Sequence, residues 1–511
     1  LQPTFEELYI TLKEFDAEKV AAALESLKED DFEYSFDSLA LTAGFRCDLH
    51  CTACDSTKHL FDACPQLKIP PIRDISRADW PSFYIREIDR IIDKIYDNEK
   101  ISKNRRKDLD DVKSKLEKGI SKKIKHDFRL DAFGSSENGF GSNRSDFDVC
   151  FRFDKEYEEN HEVRLDTIKN IENALKWARF EKVMAITTAK VPIVKFTLRT
   201  GSGEIDGDIS YYNELALHNT RLLSRYCSWT KDNLLAKLGM YIKRWAKQCE
   251  IGDASKGSLS SYAYIILMIH FLQRLQPAPL LPVLQEMGEK QEIKVDGWDV
   301  YFCDDEPKLD WSSCNLSVGE LFLQFIEYFA KFDWHNQVVQ IRQERTLTKI
   351  ERGWRKQMCI EDPFDLDHNL ASGISNRMYA FIMKSFVTSR EVFFTLRERD
   401  IFTKQFGGDK SNIEIGDDFI ARYGNSLLSR CRMSIGGAPR DRLCFKCGRL
   451  GHFSDLCPTQ RTGTGNNGGG RGGGAPHKGG RGGGETGRKR NRDAKKERLA
   501  RNREVYEATK K

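Results

Sequence analysis

Two aspartates separated by one apolar residue, Asp146 and Asp148, constrain this chain more than any other feature. They follow a Gly-Ser pair, Gly134 and Ser135, after a short spacer. Because the side chains of a strand alternate between its faces, both carboxylates are expected on one face. Carboxylate oxygens suit Mg²⁺ or Mn²⁺, and glycine lets the backbone approach a phosphate closely. The pattern predicts a two-metal site that activates an attacking hydroxyl and neutralises a departing pyrophosphate.

A third carboxylate is expected on a neighbouring strand. Residues 191–198 are typical of a strand, and a Gly-Ser-Gly turn then leads to Asp206, Gly207 and Asp208. Asp208 precedes an apolar residue and is the favoured third ligand. Asp206 shares its face by alternation and stays an alternative, while Gly207 suggests a β-bulge between them.

These residues resemble the nucleotidyltransferases related to DNA polymerase β, and four further blocks resemble animal terminal uridylyltransferases of the zinc-knuckle type. The blocks are residues 215–220, 243–247, 257–262 and 360–369. The resemblance implies an α+β fold: a palm-like mixed sheet with helices, followed by a mainly helical poly(A) polymerase-associated domain. One departure is visible, because Asp206-Gly207 looks like an insertion before the third aspartate of the family.

The resemblance also implies an activity, which is template-independent addition of UMP from UTP to the 3′ ends of single-stranded RNA, microRNA precursors and mRNAs included. Asp146, Asp148 and Asp208 are then the catalytic residues and the ligands of Mg²⁺ or Mn²⁺. The residues expected to bind the nucleotide are Gly134, Ser135, Asn213, Asn219, Thr220, Lys243, Lys247, Ser261, Tyr262, Asp362, Asp365 and His368.

Lysines and hydroxyls are expected at the triphosphate. Lys243 and Lys247 are spaced i, i+4, so one helix face can bring both to the phosphates. Ser261 can donate to a phosphate. The ring of Tyr262 can stack on the base, with packing in a helix core as the alternative.

Base and sugar contacts are expected from another set. Asn219 and Thr220 can bond the ribose or a uracil carbonyl. The imidazole of His368 can donate to a carbonyl oxygen, which uracil has and adenine lacks. The resemblance places this histidine near the uracil edge, where it would obstruct adenine, and Asp365 could orient a water or the uracil N–H.

Two alternative functions stay open. A poly(A) polymerase of the same fold would differ in base choice alone, and His368 discriminates between the two. An RNA-binding adaptor with an inert catalytic half belongs to a different class, and the presence of all three carboxylates argues against it.

Two cysteine-rich segments share the C-x2-C-x4-H-x4-C spacing of a closed tetrahedral zinc site. The second contains two turn glycines and two phenylalanines on which a base could stack. The first lacks those glycines, has Cys47 as a competing ligand, and is expected to be structural. The zinc ligands are Cys51, Cys54, His59 and Cys64 in the first, and Cys444, Cys447, His452 and Cys457 in the second.

Charge is distributed unevenly along the 511 residues. The net charge is +5, yet residues 461–511 contain 15 Lys or Arg against 5 Asp or Glu. This Gly/Arg-rich tail is expected to be disordered and to bind RNA phosphates, with a passive linker as the alternative.

Fourteen cysteines without a secretory signal argue against a disulfide framework. The protein is expected to be a cytoplasmic monomer, with presence in the nucleus left open. The sequence has no apolar run long enough for a bilayer, so no membrane association is expected. A recruiting RNA-binding protein is a further candidate partner. Since the chain opens at Leu1, it is expected to be part of a longer protein.

Six regions are expected along the chain. They are an N-terminal helical segment (1–46), a degenerate zinc knuckle (47–66), a nucleotidyltransferase catalytic domain with a leading helix (78–225), a central helical domain (226–425), a second zinc knuckle (440–460) and the disordered basic tail (461–511).

Overall fold

The computed structural model describes residues 50–54, 56–75, 82–154, 161–187, 191–304, 316–394 and 417–440. The N-terminal helical segment, the second zinc knuckle and the basic tail lie outside the described residues. The chain divides into two units, Leu1–Lys68 and Ile69–Lys511. In the first, the described part is a loop with one turn of 3₁₀-helix at Phe61–Ala63.

The second unit contains the helices and strands. In chain order they are α1 (Ser82–Glu99), α2 (Lys103–Ile120), β1 (Phe128–Phe133), β2 (Phe147–Phe153), α3 (His161–Trp177), β3 (Glu181–Ile186), β4 (Ile193–Thr200), β5 (Gly203–Tyr211), α4 (Glu214–Ser228), α5 (Leu234–Gln248), α6 (Ser261–Leu272), β6 (Lys294–Val295), β7 (Trp298–Asp299), α7 (Val318–Lys331), β8 (Gln337–Val338), β9 (Leu347–Thr348), α8 (Lys349–Arg352), α9 (Asn376–Phe394) and α10 (Asp417–Ile435). Within the described ranges, no helix combines the length and apolar character needed to cross a bilayer.

A five-stranded mixed sheet in the order β1-β2-β5-β4-β3 forms the first lobe of this unit. The β2–β5 pair is parallel, and the other neighbours are antiparallel. Apolar residues on one face, such as Phe147 and Ile209, pack with Leu116 of α2 and Ile171 of α3 in a common core. The polar residues between them face the other way, as alternation requires. The α+β expectation is confirmed.

Helices build the second lobe around a separate core. Trp245 of α5, Ile266 of α6 and Phe325 of α7 are fully buried in it. Helix α1 has the amphipathic pattern expected from its isoleucines, and Ile88 and Ile91 lie in this same core. The sequence analysis placed α1 with the catalytic domain, whereas the apolar face of α1 contributes to the core of the helical lobe.

Gly207 forms no bulge. The β4–β5 register continues without interruption from Thr200 opposite Gly203 to Ile193 opposite Ser210. The expectation of a bulge is therefore wrong, and packing explains the glycine. A Cβ at Gly207 would lie 2.4 Å from the carbonyl oxygen of Phe147 and 2.5 Å from the Phe196 ring.

Candidate active site

Strand register brings the carboxylates together at one end of the sheet. Asp148 lies in β2 directly opposite Asp208 of the parallel strand β5. Asp146 precedes β2 by one residue and is close enough to Asp208 for their charges to interact. Asp206 accepts a 2.5 Å hydrogen bond from the Thr197 hydroxyl. This geometry favours Asp208 over Asp206 as the third member of the site.

The clustered carboxylates disfavour one another's ionisation. Burial, together with the charges of Asp208 and Asp146, raises the pKa of Asp148 to about 7. Burial and the same kind of repulsion, from Asp208 and Asp206, raise the pKa of Asp146. Such a group of carboxylates has the donor chemistry for a hard divalent cation, which would relieve the repulsion.

The Gly-Ser turn lies against this cluster. Gly134 follows β1 with φ of +77°, a conformation that glycine adopts without strain. A Cβ at this position would lie 2.4 Å from Oδ2 of Asp148. The turn and the Asp148 carboxylate are therefore in close contact, and half-buried Ser135 comes next in the chain.

Thr220 holds this turn in place. Its hydroxyl accepts a 2.9 Å hydrogen bond from the Gly134 N–H and donates at 2.8 Å to the carbonyl of Ala216 in α4. Direct bonding of the ribose or uracil was expected of this hydroxyl, but the structure uses it to connect α4 to the Gly-Ser turn.

The two lysines of α5 have different surroundings. Lys243 donates to the carbonyl of Phe140 at 2.8 Å, and burial with the nearby charge of Lys247 lowers the pKa of Lys243 to about 8. Lys247 is exposed, and its charge reaches Asp146. The spacing therefore brings Lys247 near the carboxylates, whereas Lys243 braces the loop after the Gly-Ser turn.

Helix α6 begins at exposed Ser261, and its N-cap Ser260 accepts from the N–H of Ala263 at 3.2 Å. A helix N-terminus favours an anion such as a phosphate. The next residue, Tyr262, is half-buried against the helical core, and its hydroxyl donates to Oδ2 of Asp362 at 3.1 Å. The Tyr262 ring thus packs on the helical core, and its stacking on a base stays a prediction.

Asp362 organises the loop that contains His368. Its Oδ1 accepts from the N–H groups of Phe364 and Asp365 at 3.0 and 3.1 Å, and burial raises its pKa. Its own N–H donates to the carbonyl of His368 at 3.1 Å, and the N–H of His368 donates to the carbonyl of Asp365 at 2.8 Å. The loop backbone is therefore fixed while the His368 side chain stays exposed.

His368 borders an open cleft. A 450 Å³ cavity is lined by His368 together with Trp354, Arg355 and Lys356. Trp354, Arg355 and Lys356, but not His368, also line a 780 Å³ cavity that extends to Trp334. His368, which is predicted to select the base, therefore borders a space lined by aromatic and cationic side chains.

The amide side chains lie near the start of α4. Asn213 precedes the helix, and its N–H donates to the sulfur of Cys150 at 3.2 Å. The side-chain oxygen of Asn219 is buried and accepts no hydrogen bond from any residue that the structure describes. A buried acceptor without a donor is costly, so this oxygen fits a role in binding a ligand hydroxyl.

The first knuckle brings its four side chains together. The ligand atoms of Cys51, Cys54, His59 and Cys64 all lie within 4.8 Å of one another. Cys54 Sγ and His59 Nε2 are 3.3 Å apart. Because zinc–sulfur and zinc–nitrogen bonds are about 2.0–2.3 Å long, these separations fit four ligands around one ion. The second set, Cys444, Cys447, His452 and Cys457, lies outside the described residues.

Sequence reasoning missed Lys195. Its ammonium group lies 3.1 Å from each carboxylate oxygen of Asp208. Alternation in residues 191–198 already placed this one lysine among apolar residues. What the sequence alone does not provide is the strand register that sets it opposite Asp208.

Two family models match the second unit. One, described as "Poly(A) RNA polymerase, mitochondrial-like, central palm domain", covers residues 88–228. The other, described as "Cid1 family poly A polymerase", covers residues 317–368. The first range includes the sheet, the three site aspartates and Asp206, and the second ends at His368.

Curated relatives match a larger part of the chain. Human terminal uridylyltransferase 7 is 38% identical over 463 residues, which are 85% of this chain and 28% of that protein. Terminal uridylyltransferase cid1 of Schizosaccharomyces pombe is 32% identical over 346 residues, which are 62% of this chain and 78% of that protein. The chain thus spans only 28% of the length of the human relative.

A solved structure agrees with these similarities. The structure of Cid1 in complex with the UTP analog UMPNPP superposes with a TM-score of 0.54 at 30% identity. The superposition covers 61% of this chain and 95% of that one. The similarity therefore includes nearly the whole of the smaller protein.

Proposed function

The chain belongs to the family of Cid1-like terminal uridylyltransferases, and we propose on that premise that it adds UMP from UTP to the 3′ ends of RNA without a template. The observation that carries the proposal is the cluster of Asp146, Asp148 and Asp208 beside the Gly134 turn. MicroRNA precursors and mRNAs are the proposed substrates, and a recruiting RNA-binding protein is a proposed partner.

Three carboxylates hold the metal in this proposal. Asp146, Asp148 and Asp208 would bind Mg²⁺ or Mn²⁺, which when bound lowers the pKa of an attacking hydroxyl and neutralises charge on the phosphates. Gly134 lets the backbone of the turn lie directly against the Asp148 carboxylate, because a side chain at this position would collide with that carboxylate. Thr220 stabilises this arrangement, because its hydroxyl fixes the backbone of the turn to α4.

Cationic groups and a helix end bind the triphosphate. Exposed Lys247 is placed close to Asp146, where it can pair with a phosphate. Ser261 presents a hydroxyl and an N–H at the start of α6. Lys243 stabilises the loop after the Gly-Ser turn, because its ammonium group donates a hydrogen bond to the carbonyl of Phe140.

Base choice is assigned to the loop of His368. The loop backbone is fixed by Asp362, so the exposed imidazole is held at a defined place rather than on a loose segment. From there it can donate to a uracil carbonyl. Asn219 supplies a buried oxygen for the ribose. The rival is a poly(A) polymerase, which both family models name and which differs in this choice of base.

His368→Ala is expected to shift nucleotide preference from UTP towards ATP by several-fold. The lost hydrogen bond is worth about 0.5–1.5 kcal/mol, and the smaller side chain opens the site to the larger base. The measurement is incorporation of each of the four NTPs into a labelled single-stranded RNA with Mg²⁺.

The matched control for this experiment is His335→Ala, which removes another exposed histidine of the helical lobe. Parental protein that prefers ATP would contradict the proposed function. An unchanged UTP-to-ATP ratio in His368→Ala would instead move base selection to another residue such as Asp365.

Zinc is proposed for both knuckles, with the first set of ligands already gathered in the structure. Elemental analysis is expected to find two zinc ions per chain, and Cys51→Ser should reduce the content to one. Structural zinc sites contribute about 10–16 kcal/mol to folding of isolated zinc-finger peptides, so loss of one ligand should also loosen this segment. Cys303→Ser, at a free cysteine that is not in the cluster, is the control. Equal zinc content in both variants would refute the first site.

The cytoplasm is the proposed location, and the basic tail is proposed to bind RNA phosphates. Both follow from composition and from the family. The 15 Lys or Arg of residues 461–511 would make RNA affinity fall with salt. The monomeric state stays a prediction of the same kind.

A further inference from the structure

Lys195 is the lysine that touches the carboxylate cluster in the described structure. It lies in β4, directly opposite Asp208 in the antiparallel β4–β5 register. Its Nζ is 3.1 Å from both Oδ1 and Oδ2 of Asp208, so the contact is symmetric. A contact to both oxygens places the ammonium group where it faces the whole carboxylate.

The charge of Lys195 acts beyond this one pair. It also opposes the repulsion felt by Asp146 and Asp148. Lys195 and Asp208 are both partly open to solvent, with side-chain exposures of 46% and 30%. A salt bridge this exposed contributes little to the free energy of unfolding. A role in the adjoining carboxylate site explains the position of Lys195 better than a role in stability.

Both oxygens of Asp208 are engaged by the same ammonium group. A divalent cation bound by these carboxylates needs oxygen lone pairs of its own. The lysine and the cation therefore compete for Asp208, and they repel each other. In the absence of a cation, the lysine instead offsets the repulsion among the carboxylates.

We propose that Lys195 is an internal counter-ion that orients Asp208 and sets the affinity of the carboxylate cluster for a divalent cation. It is a positioning residue, since it acts on the reaction through Asp208. The inference rests on the proposed function, because it takes the cluster to be the metal site.

The test measures Mn²⁺ binding to the full chain by electron paramagnetic resonance, without nucleotide or RNA. Lys195→Met is expected to bind Mn²⁺ several-fold more tightly than the parent, because a repelling charge is gone. Lys195→Arg keeps the charge and should stay within about twofold of the parent.

Lys182→Met provides the matched control. Lys182 lies on the adjacent strand β3 and pairs with Glu204 of β5, outside the proposed metal ligands. If Lys195→Met binds Mn²⁺ no more tightly than Lys182→Met, the counter-ion role is overturned while the proposed function is untouched. If the parent has no Mn²⁺ site that Asp148→Asn removes, both the proposed function and this inference are overturned.

Discussion

Asp148→Asn is expected to lower the rate of UMP transfer about a thousandfold, or about 4 kcal/mol of transition-state stabilisation, while the protein keeps its fold. The charge of this carboxylate interacts with those of both Asp208 and Asp146, and its loss removes one of the proposed metal ligands. The amide is nearly isosteric, and removing one of several repelling charges should not destabilise the strand. Single-turnover extension of a labelled RNA at saturating UTP gives the rate.

Asp206→Asn is the matched control for this variant. Asp206 lies on the same strand as Asp208, but its carboxylate bonds the Thr197 hydroxyl. We expect it to retain activity within a few-fold of the parent, and Asp208→Asn to be as inactive as Asp148→Asn. The opposite result for this pair would make Asp206 the third ligand. Activity of Asp148→Asn within tenfold of the parent would refute the metal assignment.

Gly134→Ala is the second variant with a large expected effect, a loss of activity of at least a hundredfold. Its Cβ would lie 2.4 Å from Oδ2 of Asp148, so either the turn or the carboxylate must move. The residue also has φ of +77°, where a non-glycine residue costs about 1–2 kcal/mol. Steady-state kinetics should show the loss in kcat, and thermal unfolding should show a modest decrease in stability.

A second glycine separates these two causes. Gly297 has a similar φ of +80°, and a Cβ there has nothing within 4 Å. Gly297→Ala should therefore lose a similar amount of stability with little loss of activity. Equal losses of activity in the two variants would show that backbone strain, and not contact with Asp148, explains the effect of Gly134→Ala.

Features that depend on local periodicity were predictable from the sequence. Alternation correctly put Asp148 on the polar face of its strand, and the isoleucine spacing correctly predicted α1. The ligand spacing of the first knuckle likewise predicted the Cys51 cluster that the structure shows. In each case the neighbours that decide the outcome lie close in sequence.

Features that depend on contacts between distant segments were not predictable. Gly207 looked flexible, yet the ring of Phe196 occupies the space beside it. The hydroxyl of Thr220 looked free for a nucleotide, yet it bonds a turn 86 residues away. Lys195 looked like an ordinary polar residue of a strand until the register set it against Asp208. Strand register and packing are tertiary properties, which a pattern of residue types in one segment does not fix.

Phe140 connects the two lobes, so neither lobe can be exchanged independently of the other. It belongs to the loop between β1 and β2 of the sheet, but its ring is fully buried in the helical core. Gly239 of α5 accommodates that ring, since a Cβ there would lie 2.6 Å from it. A hybrid enzyme joined near residue 225 would take Phe140 and Gly239 from different parents, so the two parents would have to match at this contact. A substitution at Phe140 or at Gly239 is therefore constrained by the residue on the other side of this contact.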